Sequence, residues 1–229
     1  MSDPEETARI SKRIANRISS LCPGTWNQHY VKSKILSDPL YGGVYSVLKD
    51  SKNPLLDIGC GLGIHALYLR ERGWQQPVVG FDYDSRKIEQ GKELLTKGGY
   101  KDITMSQGDA RVDLPEHHGD VTILDILQFF DHQQQEQLLR IAAQKVCPGG
   151  KLIIRSGLKE KNLRFFVTWL GDMLAKCTFW MKAAPTHYPT AGFFRSVLED
   201  EGFSVEIRPF WGKTPFNNYM IVATCRRDR

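Results

Sequence analysis

Cysteine is scarce and scattered in this chain. Cys22, Cys60, Cys147, Cys177 and Cys225 are odd in number, and no two stand as C-x-x-C. That excludes a disulfide framework or a cysteine zinc site as the organiser of the fold. Long apolar runs are missing too. The most apolar long stretch, FFVTWLGDMLAKCTFWM, is broken by Asp172 and Lys176, which argues against a membrane span. The opening MSDPEETARI is polar and acidic, without an apolar signal core, so the expected location is the cytoplasm. There is no internal repeat and no low-complexity segment. Nor is there a strong charge of one sign: 31 Lys and Arg against 26 Asp and Glu leave +5. Basic residues do gather at Arg9, Lys12, Arg13 and Arg17, at Lys32 and Lys34, at Lys159, Lys161 and Arg164, and at Arg226, Arg227 and Arg229. Such clusters are either solvated faces or surfaces for an anionic partner: nucleic acid, a phosphate-bearing substrate or an acidic carrier protein.

What is present suits a soluble α/β protein. The 229 residues, 41% hydrophobic, fit one domain with an appendage. Ile10, Ile14 and Ile18 recur four apart, which predicts a helix over 6–20. An aromatic and basic stretch, CPGTWNQHYVKSKILSDPLY, follows, with turn signals at Pro23-Gly24 and Asp38-Pro39. From Pro54 the pattern alternates. Strands are predicted over 55–58, 77–81, 103–106, 121–127 and 151–156, and helices over 64–71, 86–96 and 133–146. Alternation of this kind implies right-handed crossovers and a parallel sheet covered on both faces. An aromatic-rich insertion, 157–188, interrupts it, with a helix predicted over 161–181. A helix over 190–201 resumes the pattern. Strands 203–208 and 219–225 are joined only by the short loop PFWGKTPFNN, so they should pair antiparallel. The expected fold is a Rossmann-like doubly wound sheet of about seven strands, mostly parallel. An N-terminal helical and aromatic cap segment, 1–50, precedes it, and the insertion, 157–188, follows its fifth strand as an expected substrate cap.

The stretch LLDIGCGLGIHAL carries the first functional signal. Gly59, Gly61 and Gly63 alternate with other residues between a strand and a helix. In a parallel sheet, ligands bind outside the carboxyl ends of the strands. Glycines there permit a tight turn and let a ligand approach the backbone, and the next helix offers free N–H groups to an anion. A purely structural turn and a nicotinamide-binding turn are the competing readings.

The spacing D-x-G-x-G-x-G resembles the first motif of class I S-adenosylmethionine-dependent methyltransferases, with Asp57, Gly59, Gly61 and Gly63 matching position for position. The resemblance continues along the core. VVGFDYD ends in Asp82, which it implies is the ribose-binding carboxylate, followed by Tyr83, whose ring would lie against adenine. QGDA supplies Asp109 and Ala110 at the adenine edge. TILDIL supplies Asp125 near the methionine end, and VCPGGKLIIRS resembles the turn into the fifth strand. The implied cofactor is S-adenosylmethionine, with S-adenosylhomocysteine as product, and the methyltransferase domain would run over 51–229. Other carboxylates have local explanations. Asp84 is either a helix cap or a site residue. Asp131, three before Gln134, reads as a capping box. Asp113 and Asp120 read as loop carboxylates.

The acceptor is less defined. A hydroxyl acceptor can need a base, and His132, His187 and His29 are the candidates. DILQ after the fourth strand lacks the [DN]-P-P-[YF] of amino-group methylation, no Pro-Cys nucleophile is present, and metal-ligand spacing is absent. Phe165, Phe166, Trp169, Trp180, Met181 and Tyr188, with Phe210 and Trp211, would either roof an aromatic-friendly pocket or pack as core. HYVKSKILSDPLY, TWLGDMLAKCTFWMKAAPTHYPT and FWGKTPFNNYMIV resemble segments of bacterial methyltransferases associated with aryl polyene and xanthomonadin-type pigment biosynthesis. That resemblance implies an aromatic or polyene acyl substrate, free or on an acyl carrier protein, methylated on oxygen or ring carbon. An RNA methyltransferase and a non-catalytic binding module remain the rival readings.

Overall fold

The computed structural model describes residues 4–160, 163–168, 170 and 187–226. The chain begins with three helices: α1 (Pro4–Leu21), α2 (Thr25–Ser37) and α3 (Leu40–Leu48). The aromatic stretch after α1 is therefore helical, divided where the turn signals stood. Gly24 takes φ 73° before α2, and Asp38-Pro39 separates α2 from α3.

Alternation follows: β1 (Leu55–Ile58), α4 (Ile64–Glu71), β2 (Val78–Asp82), α5 (Ser85–Gly98), β3 (Ile103–Gln107), β4 (Asp120–Leu124), α6 (His132–Gln144) and β5 (Lys151–Gly157). After a helical stretch over 163–168 come α7 (Ala191–Asp200), β6 (Phe203–Pro209) and β7 (Asn218–Cys225). Most of the helix predicted over 161–181 lies outside the described residues.

The seven strands form one sheet in the order β3-β2-β1-β4-β5-β7-β6. β1 pairs parallel with β2 and β4, and β7 runs antiparallel to both β5 and β6. The chain winds outward from β1 to β3, then returns to lay β4 on the other side of β1. That reversal opens a crevice at the carboxyl ends of β1 and β4. All four β1 residues are buried, as expected for a central strand covered on both faces. One core joins Ile14, Ile18, Val31, Ile35 and Val44 of the N-terminal helices to α4, α5 and the sheet. The other packs α6 and α7 on the opposite face. Among the described residues no helix is long and apolar enough to cross a membrane.

Two expectations are corrected. The fourth strand was expected to run to Leu127 but ends at Leu124. Asp125 takes φ 60°, which turns the chain out of the sheet, and Leu127–Phe129 form a 3-10 turn. Asp120 is not a loop carboxylate. It opens β4 fully buried, accepting hydrogen bonds from the Ser51 hydroxyl, from Asn53 Nδ2 at 3.4 Å and from the Lys151 N–H at 2.7 Å. It ties the segment before β1 to the start of β5. Asp113 does lie in a loop.

Candidate functional site

A cavity of about 1220 Å³ opens at the carboxyl ends of the parallel strands. Pockets for one small ligand span about 300–1,000 Å³, so this one has room for two reactants. One wall is the glycine turn with the ends of β2 and β3, and the other is the inner side of α2 and α3.

The turn exists because glycine occupies it. Gly59, Gly61 and Gly63 take φ of 79°, 57° and 73°, a region costly for residues with a Cβ. A Cβ on Gly59 would stand 2.6 Å from Ile126 Cγ2, so the turn also abuts the exit of β4. Gly61 leaves open space beside it, and its N–H donates to Asp82 Oδ2 at 2.9 Å. The Asp84 N–H donates to Asp82 Oδ1 at 2.8 Å. Asp82 is thereby locked at the cavity wall, 8% exposed, and each oxygen keeps acceptor capacity. A carboxylate fixed like this suits a pair of vicinal hydroxyls, so the donor set fits a nucleoside. Asp84 caps α5 by accepting from the Arg86 N–H.

Tyr83 presents a ring 45% exposed on the same wall. Asp109 beside Ala110 is gripped by Arg111, with Nε at 2.9 Å and Nη2 at 2.6 Å, and those bonds hold its carboxyl below the usual range. Asp57 is buried deeper. It accepts from Thr122 Oγ1 at 2.7 Å and lies 3.6 Å from His65 Nδ1. Asp125 receives Arg155 Nη1 at 3.1 Å, and burial pushes its carboxyl upward.

Eight of the nine residues expected to hold the cofactor thus line one cavity: Asp57, Gly59, Gly61, Asp82, Tyr83, Asp109, Ala110 and Asp125. Gly63 stands behind them as the N-cap of α4, where a Cβ would meet Met105 Sδ at 3.1 Å.

The histidines divide. His29 lines the cavity, whereas His132 and His187 do not. His132 opens α6 on the surface and stacks edge-on with His187 at 5.4 Å and against Phe193 at 4.9 Å. Burial, then the neighbouring His132, depresses the His187 imidazole below its ordinary range. Of the aromatic set, Tyr188 lines the cavity with Phe165 edge-on at 5.2 Å. Phe210 instead packs against Gly43, and Trp211 packs between Tyr219 and Arg164. Trp169, Trp180 and Met181 lie outside the described residues.

Of the far wall, sequence reasoning expected a cap from 1–50 and named His29 but missed the other residues. Tyr30, Lys34, Asp38 and Tyr41 line it, and Arg155 underlies it, 3% exposed, bonded to Asp38 Oδ2 at 2.7 Å and to Asp125. One signal was readable. Arg155 interrupts the apolar run LII of a buried strand, and arginine is almost never buried unless paired. The α2 residues gave none, because polar and apolar side chains are interspersed along that helix.

Residues 55–150, the stretch that carries the glycine turn and the locked Asp82 carboxylate, match the family described as "Methyltransferase domain". Among curated proteins, the chain is 30% identical over 107 residues to a ribosomal protein L11 methyltransferase of Burkholderia vietnamiensis, covering 47% of this chain and 33% of that one. It is 27% identical over 150 residues to a carboxy-S-adenosyl-L-methionine synthase of Shewanella pealeana, covering 60% of each. The chain thus spans only about a third of the former's length. Among solved structures, the magnesium protoporphyrin IX methyltransferase of Synechocystis PCC 6803 with bound S-adenosylhomocysteine superposes with TM-score 0.65 at 18% identity, covering 97% of this chain and 100% of that one. The mitomycin 7-O-methyltransferase superposes with TM-score 0.66 at 19% identity, covering 97% and 67%. At these identities the likeness is one of fold.

Proposed function

We propose that the protein transfers the methyl group of S-adenosylmethionine to an oxygen or ring carbon of an aromatic or polyene acyl acceptor, free or carrier-bound. One observation carries this reading. A single cavity joins the Asp82 wall, suited to a nucleoside, to a wall bearing Tyr30, Tyr41 and Tyr188. The sulfonium of the donor supplies an already activated methyl. The chain's own residues then have to align the two reactants and exclude water, and alignment alone can lower a barrier by about 7–11 kcal/mol. Asp82 and the glycine turn fix one reactant, and α2 and α3 cover the other. For a carrier-bound acceptor, the exposed Arg9, Lys12 and Arg13 of α1 offer a basic docking face for an acidic carrier.

The test has two stages. Calorimetric titration with S-adenosylhomocysteine should register binding; heat from neither donor nor product sinks the reading. Donor labelled in the methyl group, incubated with hydroxyaryl acids free and on an acyl carrier protein, should label the acyl product. Label entering only RNA, with salt-dependent binding, would replace the acceptor class.

A further inference from the structure

We propose that Lys34 is the acceptor-recognition residue of this cavity and that the acceptor reaches it with an ionised oxygen, a carboxylate or a phenolate. The inference rests on the methyl-transfer reading above. Lys34 stands on the cavity side of α2, one turn beyond Tyr30, with its Nζ 5.9 Å from the centre of that ring. Among the described residues its ammonium has no carboxylate within 4.0 Å and makes no hydrogen bond. The nearby carboxylates are taken: Asp38 and Asp125 both bind Arg155 Nη1, at 2.7 and 3.1 Å. Tyr41, 3% exposed, closes the same wall.

The half-buried ammonium lies over the Tyr30 ring and feels Asp125 and Asp38 at longer range, but its three donors meet no hydrogen-bond acceptor among the described residues. A donor left without a hydrogen-bond acceptor once water leaves the cavity is costly. A neutral acceptor would leave the ammonium unpaired when it displaced water from the cavity. An ionised oxygen would meet it with a charge-assisted hydrogen bond, roughly twice as strong as a neutral one. The rings of Tyr30 and Tyr41 flank that point, so a flat aromatic acceptor with an anionic oxygen matches the wall in shape and charge. The competing role for Lys34 is to offset Asp38 and Asp125 at longer range, as a part of the fold.

The experiment is calorimetric binding to the protein saturated with S-adenosylhomocysteine, using 4-hydroxybenzoate, its methyl ester and 4-methoxybenzoate. Wild type should bind 4-hydroxybenzoate. Weaker binding of the ester assigns the carboxylate to Lys34 and a free acid as acceptor. Weaker binding of the ether assigns the phenol and leaves a carrier-bound acyl group admissible. Lys34→Met should weaken the anionic ligands about tenfold or more, leave S-adenosylhomocysteine affinity within about twofold, and be partly rescued by Lys34→Arg. The proposal is overturned if Lys34→Met binds all three ligands as wild type does, if it loses S-adenosylhomocysteine as well, or if saturated wild type binds none of the three at millimolar concentration. Failure of wild type to bind S-adenosylhomocysteine would instead remove the methyl-transfer reading itself.

Discussion

Asp82 shows how one side chain serves both the fold and the site. Its two oxygens each take a backbone N–H, from Gly61 and from Asp84, and so hold the turn and the start of α5 against each other. Asp82→Ala should therefore weaken S-adenosylhomocysteine binding by about 1–3 kcal/mol, the range for charge-assisted hydrogen bonds. Calorimetry on a variant with unchanged circular dichroism checks it, and unaltered affinity would remove Asp82 from the site. This residue was legible in the sequence because it ends an apolar strand in VVGFDYD, a segment that resembles its counterpart in the methyltransferase family. No resembling segment assigned a role to His132 or His187, and they meet each other rather than the cavity. Beside His187, a second depressed histidine contributes to the pH dependence of stability. His117 Nε2 lies 2.9 Å from the Asp120 carbonyl oxygen, and burial lowers its pKa from the ordinary 6.5 despite that bond. The folded state favours the neutral ring. Between the lowered value and about 6.5 the unfolded chain binds more protons, so stability is full above that window and falls as pH drops through it. Melting temperatures from pH 7.5 to 5.5 should fall less for His117→Gln than for wild type; superimposable profiles would exclude this histidine.

At the scale of elements, α6 starts where its sequence says it must. Asp131 accepts from the Gln134 N–H at 2.9 Å, and Gln134 Oε1 accepts from the Asp131 N–H at 3.0 Å. Asp131→Ala should cost about 0.5–2 kcal/mol, read as a lower urea midpoint with the slope unchanged; an unmoved midpoint would show that neighbouring packing holds the helix end. Strands and helices of this kind were legible because apolar period and caps are written in adjacent residues. β1 came out residue for residue as read, Leu55–Ile58. The failures have a physical cause. The apolar run TILDIL conceals the end of β4, since Asp125 leaves the sheet through a positive φ that a non-glycine residue does not advertise. The bounds of the helices within 25–48 were hidden because α2 divides its residues between two surroundings: Val31 and Ile35 enter the core, while Tyr30 and Lys34 face the cavity. No single apolar stripe results.

Over the whole molecule, the N-terminal helices and the sheet are one folding unit, since Ile14, Ile18, Val31 and Val44 share a core with α4, α5 and the sheet. The change of pattern near residue 50 marks a change of topology and leaves the core continuous. The same union builds the site, because α2 and α3 are one wall of the cavity and β1, β2 and β4 are the other. Arg155 ties the two walls from below. It reaches from β5 to Asp38 at the end of α2 and to Asp125 at the end of β4. Arg155→Met would leave Asp38 and Asp125 with only the more distant Lys34 to offset them. Removing one partner of a fully buried pair costs about 3–5 kcal/mol, and less is expected here because the Asp125 side chain is 31% exposed. Asp38→Asn should be costly in wild type, where it removes the carboxylate from Arg155. It keeps the oxygen that caps α3 through the Leu40 N–H. In the Arg155→Met background the same change should cost little or be favourable, because it neutralises an already unpaired charge. Urea unfolding of the four proteins gives the coupling directly. Equal costs of Asp38→Asn in both backgrounds would mean that packing alone holds the N-terminal helices over the cavity, and the buried arginine would need another explanation.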